Sequence, residues 1–133
     1  MTASASTRTP PMSEPKPSRR PRRGELWLVS LGAARDGEIG KTRPALVVSV
    51  DALQTGSPYD RITVVPLTTN ARQRPNALQP AIPAGHGLAQ DSVILCNAPR
   101  ALAPSRFVRH LGTIPDDLLI QVTAARAVIE GWE

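Results

Sequence analysis

A chain of 133 residues with 41% hydrophobic content has room for one domain with a modest core, and its single cysteine, Cys96, excludes an internal disulfide and any cysteine-rich metal site. The net charge of +5 is not spread evenly: residues 1–23 carry six basic side chains against Glu14 alone, while residues 24–133 balance ten basic against ten acidic groups. No apolar run approaches the ~18 residues of a membrane span and the N-terminus lacks a secretory apolar core, so composition predicts a soluble protein of the reducing cytoplasm with no membrane partner.

Residues 1–23 place five prolines among serines, threonines and arginines and offer no β-branched aliphatic or aromatic residue to bury, which predicts a disordered tail. Such a tail is a solvated linker, a misassigned start, or a polybasic arm that follows phosphates. From Gly24 the texture changes. GELWLVSL, RPALVVSV and RITVVPLTT read as three strands, separated by GAARDGEIGK and DALQTGSPYD. A fourth strand is expected near LQPAIP, a fifth at DSVILC and a sixth at RFVRHLGTI. Helical spacing occurs only at the end, where Leu118, Val122, Ala125 and Ile129 recur every three or four residues. Pro115 suits the first turn of that helix, and Asp116 and Asp117 suit its positive end. The predicted architecture is a small, mostly antiparallel barrel or curled sheet closed by one C-terminal helix, with 24–133 as its single domain.

The common catalytic patterns are missing: HExxH, paired cysteines, GxSxG and a phosphate-cradling GxxxxGK[ST] do not occur. The two histidines, His86 in a GHG loop and His110 in a strand, could form an acid–base pair only if the fold brought them together; their contexts favour an exposed loop histidine and a strand-surface histidine. Cys96 lies in an apolar run and reads as packing, Trp27 as core or dimer interface. What remains is the TRP tripeptide at 42–44. Proline cannot donate to a ladder, so Arg43 stands where a loop becomes a strand. Should the following strand pair with this one, its end at LTTN, residues 67–70, brings threonine hydroxyls beside the guanidinium. An arginine fork with a neutral hydroxyl suits a phosphate, although by spacing alone a strand-start arginine is more often a surface ion-pair partner.

RRGELWLVSL, EIGKTRPALVVS from Glu38, PLTTN from Pro66, DSVILCN from Asp91 and Leu111-Gly112 before the last helix together resemble the MazF/PemK family of toxin endoribonucleases, in order along residues 22–131. The resemblance implies an SH3-like barrel with a C-terminal helix, a homodimer, cytoplasmic cleavage of single-stranded RNA without metal or cofactor, and inhibition by a cognate antitoxin protein. It places the family's catalytic arginine on Arg43, its catalytic threonine on Thr68 and its loop acid on Glu38, a possible catalytic support. Lys41, Thr69, Asn70, Arg72, Arg74 and Asn97 fall on the RNA-binding side. Three positions depart from the common pattern: Ile39 where many members have glutamine, Lys41 where many have glycine, and Asn97-Ala98 where many have Asp-Gln. The cleavage sequence therefore does not transfer with the chemistry.

The 2′-hydroxyl of RNA is its own nucleophile, so the protein has only to move protons and stabilise charge on the phosphate. Arg43 suits the second task and Thr68 would hold the scissile phosphate; no general base is evident. Two other readings are a gyrase inhibitor of the CcdB kind, which shares the fold and acts through the helix end, where this chain has Gly131-Trp132, and a non-catalytic RNA-binding module.

Overall fold

The computed structural model describes residues 19–32, 41–70 and 72–132. Among the described residues, seven strands and one α-helix make up the framework: β1 Glu25–Ser30, β2 Thr42–Val47, β3 Ile62–Thr68, β4 Ala81–Ile82, β5 Ser92–Ile94, β6 Arg100–Leu102, β7 Phe107–Thr113 and α1 Asp116–Ile129. All pairings are antiparallel, in the order β4-β5-β3-β2-β1-β7, with β6 on β3. The expected small antiparallel curled sheet with a closing helix is what forms.

β3 organises the sheet. Its first half, Ile62–Val64, pairs with β6, and its last two residues, Leu67 and Thr68, pair with β5. Pro66 lies between the two. Lacking an N–H, it cannot donate to a neighbour, and its carbonyl accepts instead from the Leu95 amide at 2.9 Å as the chain bulges from β5 toward β6.

Alternation along the strands sends side chains into two cores. Leu26, Leu46, Val65 and Leu67 join Ile82, Ile94, Cys96, Val122 and Ala125 between the sheet and α1. Trp27, Val29, Ala45, Val47, Ile62, Val64, Leu102 and Phe107 fill the inside of the curl. Trp27, wholly buried, meets Phe107 edge to face at 5.9 Å, which places it in the core. At the head of α1 Pro115 is the capping residue rather than part of the first turn, and its carbonyl accepts from the Leu118 and Leu119 amides, each at 3.1 Å. Arg126 donates to the Cys96 carbonyl at 2.8 Å and so fastens the helix to the end of β5.

Residues 19–23 are not detached from this body. Pro21 is buried. Arg23 donates to the Val48 carbonyl at 2.5 Å and to Thr123 Oγ1 at 2.6 Å, joining the entering chain to both sheet and helix. Arg19 pairs with Glu25, whose buried carboxylate also accepts from the Arg22 amide at 2.8 Å and from Trp27 Nε1 at 2.9 Å. The packed body therefore includes Arg19–Arg23, inside the segment that composition assigns to the tail; residues 1–18 lie outside the described residues.

Candidate functional site

Arg43 is the second residue of β2 and pairs with Val29, so it projects on the inner face of the curl, half-buried at its rim. The β2–β3 ladder ends at Ala45↔Pro66; continuing that register by two residues sets Arg43 level with Thr68. Alternation puts Thr68 on the same face as Val64. The arginine and the threonine thus share one end of one face.

Thr68 is 7% exposed, and its Oγ1 accepts from the Asn70 amide at 3.1 Å. With that N–H on a lone pair, the hydroxyl proton is the part left to a ligand. The chain then turns: Asn70 Oδ1 accepts from the Arg72 amide and Asn70 O from the Gln73 amide, both at 3.0 Å. Side-chain-to-backbone bonds of this kind stabilise a turn that the backbone alone would leave loose. Thr69, Asn70, Arg72 and Arg74 are all exposed along it. Lys41 is exposed two residues before Arg43, with a left-handed φ of 66°. That conformation lets the Leu31 amide reach the Lys41 carbonyl at 2.8 Å, while the Lys41 amide donates back to the Gly32 carbonyl.

Asn97 stands apart from this cluster. It is exposed in the turn between β5 and β6, and its Oδ1 accepts from Gln79 Nε2 at 2.9 Å. Glu38 lies outside the described residues. His110, expected on the strand surface, is half-buried: its ring packs edge to face on Trp27 at 5.5 Å, and its Nε2, buried without a hydrogen-bond partner, lies 3.6 Å from Glu25 Oε2. His86 is exposed, with φ 53°, in a hairpin whose backbone rests on Gly112. The partners of His110 therefore belong to the core. Burial pushes the Cys96 thiol up to about 11, with the charge of Arg126 pulling weakly the other way, so a packing role fits it. Trp132 is 69% exposed just past α1.

Two residues escaped the sequence reading. Gln79, two positions before β4, precedes a strand of only two residues. Arg100, half-buried on β6, sends Nη2 to the Leu31 carbonyl at 3.2 Å. Among the described residues, no three His, Cys, Asp or Glu side chains come together, and no helix is long and apolar enough to cross a membrane.

Comparison with known proteins decides the family. The sequence model for PemK-like, MazF-like toxins of type II toxin–antitoxin systems matches residues 22–129. The chain belongs to that family. It is similar to Endoribonuclease MazF9 of Mycobacterium tuberculosis, 38% identical over 78% of this chain and 91% of the relative. Endoribonuclease PemK of Escherichia coli is 30% identical over 80% of each chain. Among solved structures, MazF from Deinococcus radiodurans superposes with a TM-score of 0.71 at 27% identity, covering 86% of this chain and 99% of that one. A MazE–MazF complex from the same organism superposes at 0.66 and 26% identity, covering 87% and 100%. For a PemK/MazF-like toxin, then, the polar rim that carries Arg43, Thr68, Lys41 and the 69–74 turn is the candidate site.

Proposed function

We propose that this toxin is an endoribonuclease that cleaves single-stranded RNA at short sequences, using the substrate's 2′-hydroxyl as nucleophile and leaving a 2′,3′-cyclic phosphate. The observation that carries the reading is the antiparallel β2–β3 register, which, continued two residues past its last pair Ala45↔Pro66, sets Arg43 level with Thr68. Relatives named as endoribonucleases at 38% and 30% identity support it.

Each residue has one task. Arg43 offers a planar guanidinium fork, and it stabilises the negative charge that gathers on the phosphate in the transition state. Thr68, its oxygen already oriented by the Asn70 amide, donates its hydroxyl proton to a phosphate oxygen. Lys41, Thr69, Asn70, Arg72 and Arg74 hold the strand on either side, and Asn97 with Gln79 offers amide groups to bases farther along the sheet. Glu38 is the candidate support for proton transfer. No metal is needed, because the nucleophile is supplied by RNA and the charge by arginine. The protein works as a homodimer in the cytoplasm, and a cognate antitoxin silences it; the MazE–MazF complexes among the similar structures support such a partner.

Mapping new RNA 5′ ends after brief expression tests this. Wild-type toxin yields ends that share a short sequence, and Arg43→Ala yields none. Growth arrest without new ends would overturn the nuclease reading.

A further inference from the structure

We propose that Arg100 is a positioning residue of the cleavage site, acting through the end of β1 on the strand that carries Arg43. This rests on the nuclease reading above. Within the sheet, Val64 pairs with Val47 on one side and with Arg100 on the other. Directly opposed residues point to the same face, so Arg100 enters on the inner side of the curl, beside a core that is otherwise apolar. A guanidinium there needs hydrogen-bond acceptors.

One acceptor is the Leu31 carbonyl, at 3.2 Å and 69 residues away in sequence. Its position gives the contact its meaning. Leu31 is the first residue beyond β1, and its amide donates to the Lys41 carbonyl while the Lys41 amide donates to Gly32. The guanidinium therefore fastens β6 to the neck formed by Leu31, Gly32 and Lys41. Arg43 lies two residues past Lys41, about 7 Å along the strand. A shift at the neck is passed to Arg43 through the Ser30↔Thr42 and Val29↔Arg43 pairs. The delocalised charge of Arg100 also adds to the positive potential at the rim where phosphate would bind. Arginine is fitted to both tasks because its rigid fork bonds the carbonyl while its charge remains.

The test uses full-length toxin and an RNA oligonucleotide spanning a wild-type cleavage position. Arg100→Gln should lower kcat about 10- to 100-fold, because the geometry of the neck is lost, and raise KM by a smaller factor as one charge leaves the rim. Arg100→Lys, which restores the charge, should recover part of kcat. Residue-resolved amide exchange should show faster exchange at Leu31 and Lys41 in Arg100→Gln and no change in the β3 amides. Arg61→Gln, an exposed arginine that bonds only loop carbonyls in the described structure, serves as the control and should alter neither readout. Wild-type kcat in Arg100→Gln would overturn the proposal, as would unchanged exchange at the neck. Should wild-type toxin cleave no RNA, the nuclease reading fails, and unchanged exchange would then still refute the hold on the neck.

Discussion

Thr68 shows how one buried hydroxyl can be separated from the packing around it. Valine has nearly the same shape, so Thr68→Val keeps the end of β3 filled, and the Asn70 amide it deserts is at an exposed turn where water replaces the bond. Folding should be little affected and the cleavage rate should fall about 10²-fold, the usual effect of losing one preorganised donor, while Thr68→Ser stays far closer to wild type. Equal rates for valine and threonine, measured in single turnovers, would remove Thr68 from the site. Cys96 supports a second expectation. Its folded thiol is raised to about 11 from an ordinary value of 9.0, so the folded state keeps a proton that the unfolded chain releases. Stability is unaffected below pH 9 and falls as pH rises from 9 toward 11. Urea midpoints should drop more steeply over that interval in wild type than in Cys96→Val; parallel profiles would contradict the assignment.

At the level of elements, much was legible because pattern and burial agree. The strands ELWLVS, TRPALV and ITVVPLT and the helix from Asp116 follow from β-branched runs and three-to-four spacing. The placement of Arg43 at the start of β2 and of Thr68 at the end of the neighbouring β3 was legible for the same reason, since consecutive antiparallel strands run start beside end. β6 was not: RAL between Pro99 and Pro104 has neither length nor alternation, and only the bulge after β5 delivers it to β3. Arg100 was hidden with it. His110 read as a surface residue because alternation along β7 is broken by register shifts against β1. The entering chain misled in another way. Pro21 is the one apolar residue of Arg19–Arg23, and what fastens the segment beside it is a set of hydrogen bonds to Glu25, Val48, Asp51 and Thr123 that composition does not reveal. Deleting residues 1–18, whose composition offers no aromatic or β-branched aliphatic residue to bury, should leave the melting temperature unchanged. Deleting residues 1–23 should lower it, because the buried Glu25 keeps its bond from Trp27 but loses Arg19 and the Arg22 amide, and each lost partner of a buried charge costs about 1–3 kcal/mol. Identical melting of the two truncations would refute the docking.

The whole molecule leaves apolar surface outside its two cores: Ile120, Val128 and Trp132 on and beyond α1 are 69%, 54% and 69% exposed. A second copy is the proposed cover, and sedimentation at low micromolar concentration should give twice the chain mass. A monomer that still cleaves RNA would dispose of that cover. The central claim is that charge placed by β2 and β3 does the chemistry, with the nucleophile coming from RNA. Its most direct test is cleavage of one RNA oligonucleotide by purified toxin in excess chelator, beside a copy carrying a single 2′-deoxy group at the cleaved position and beside Arg43→Ala. Wild type should cut the first fully and leave a 2′,3′-cyclic phosphate, the deoxy substrate should stay intact, and Arg43→Ala should fold but lose at least about 10²-fold in rate. Full activity in Arg43→Ala, or activity abolished by chelator and restored by magnesium, would contradict the account.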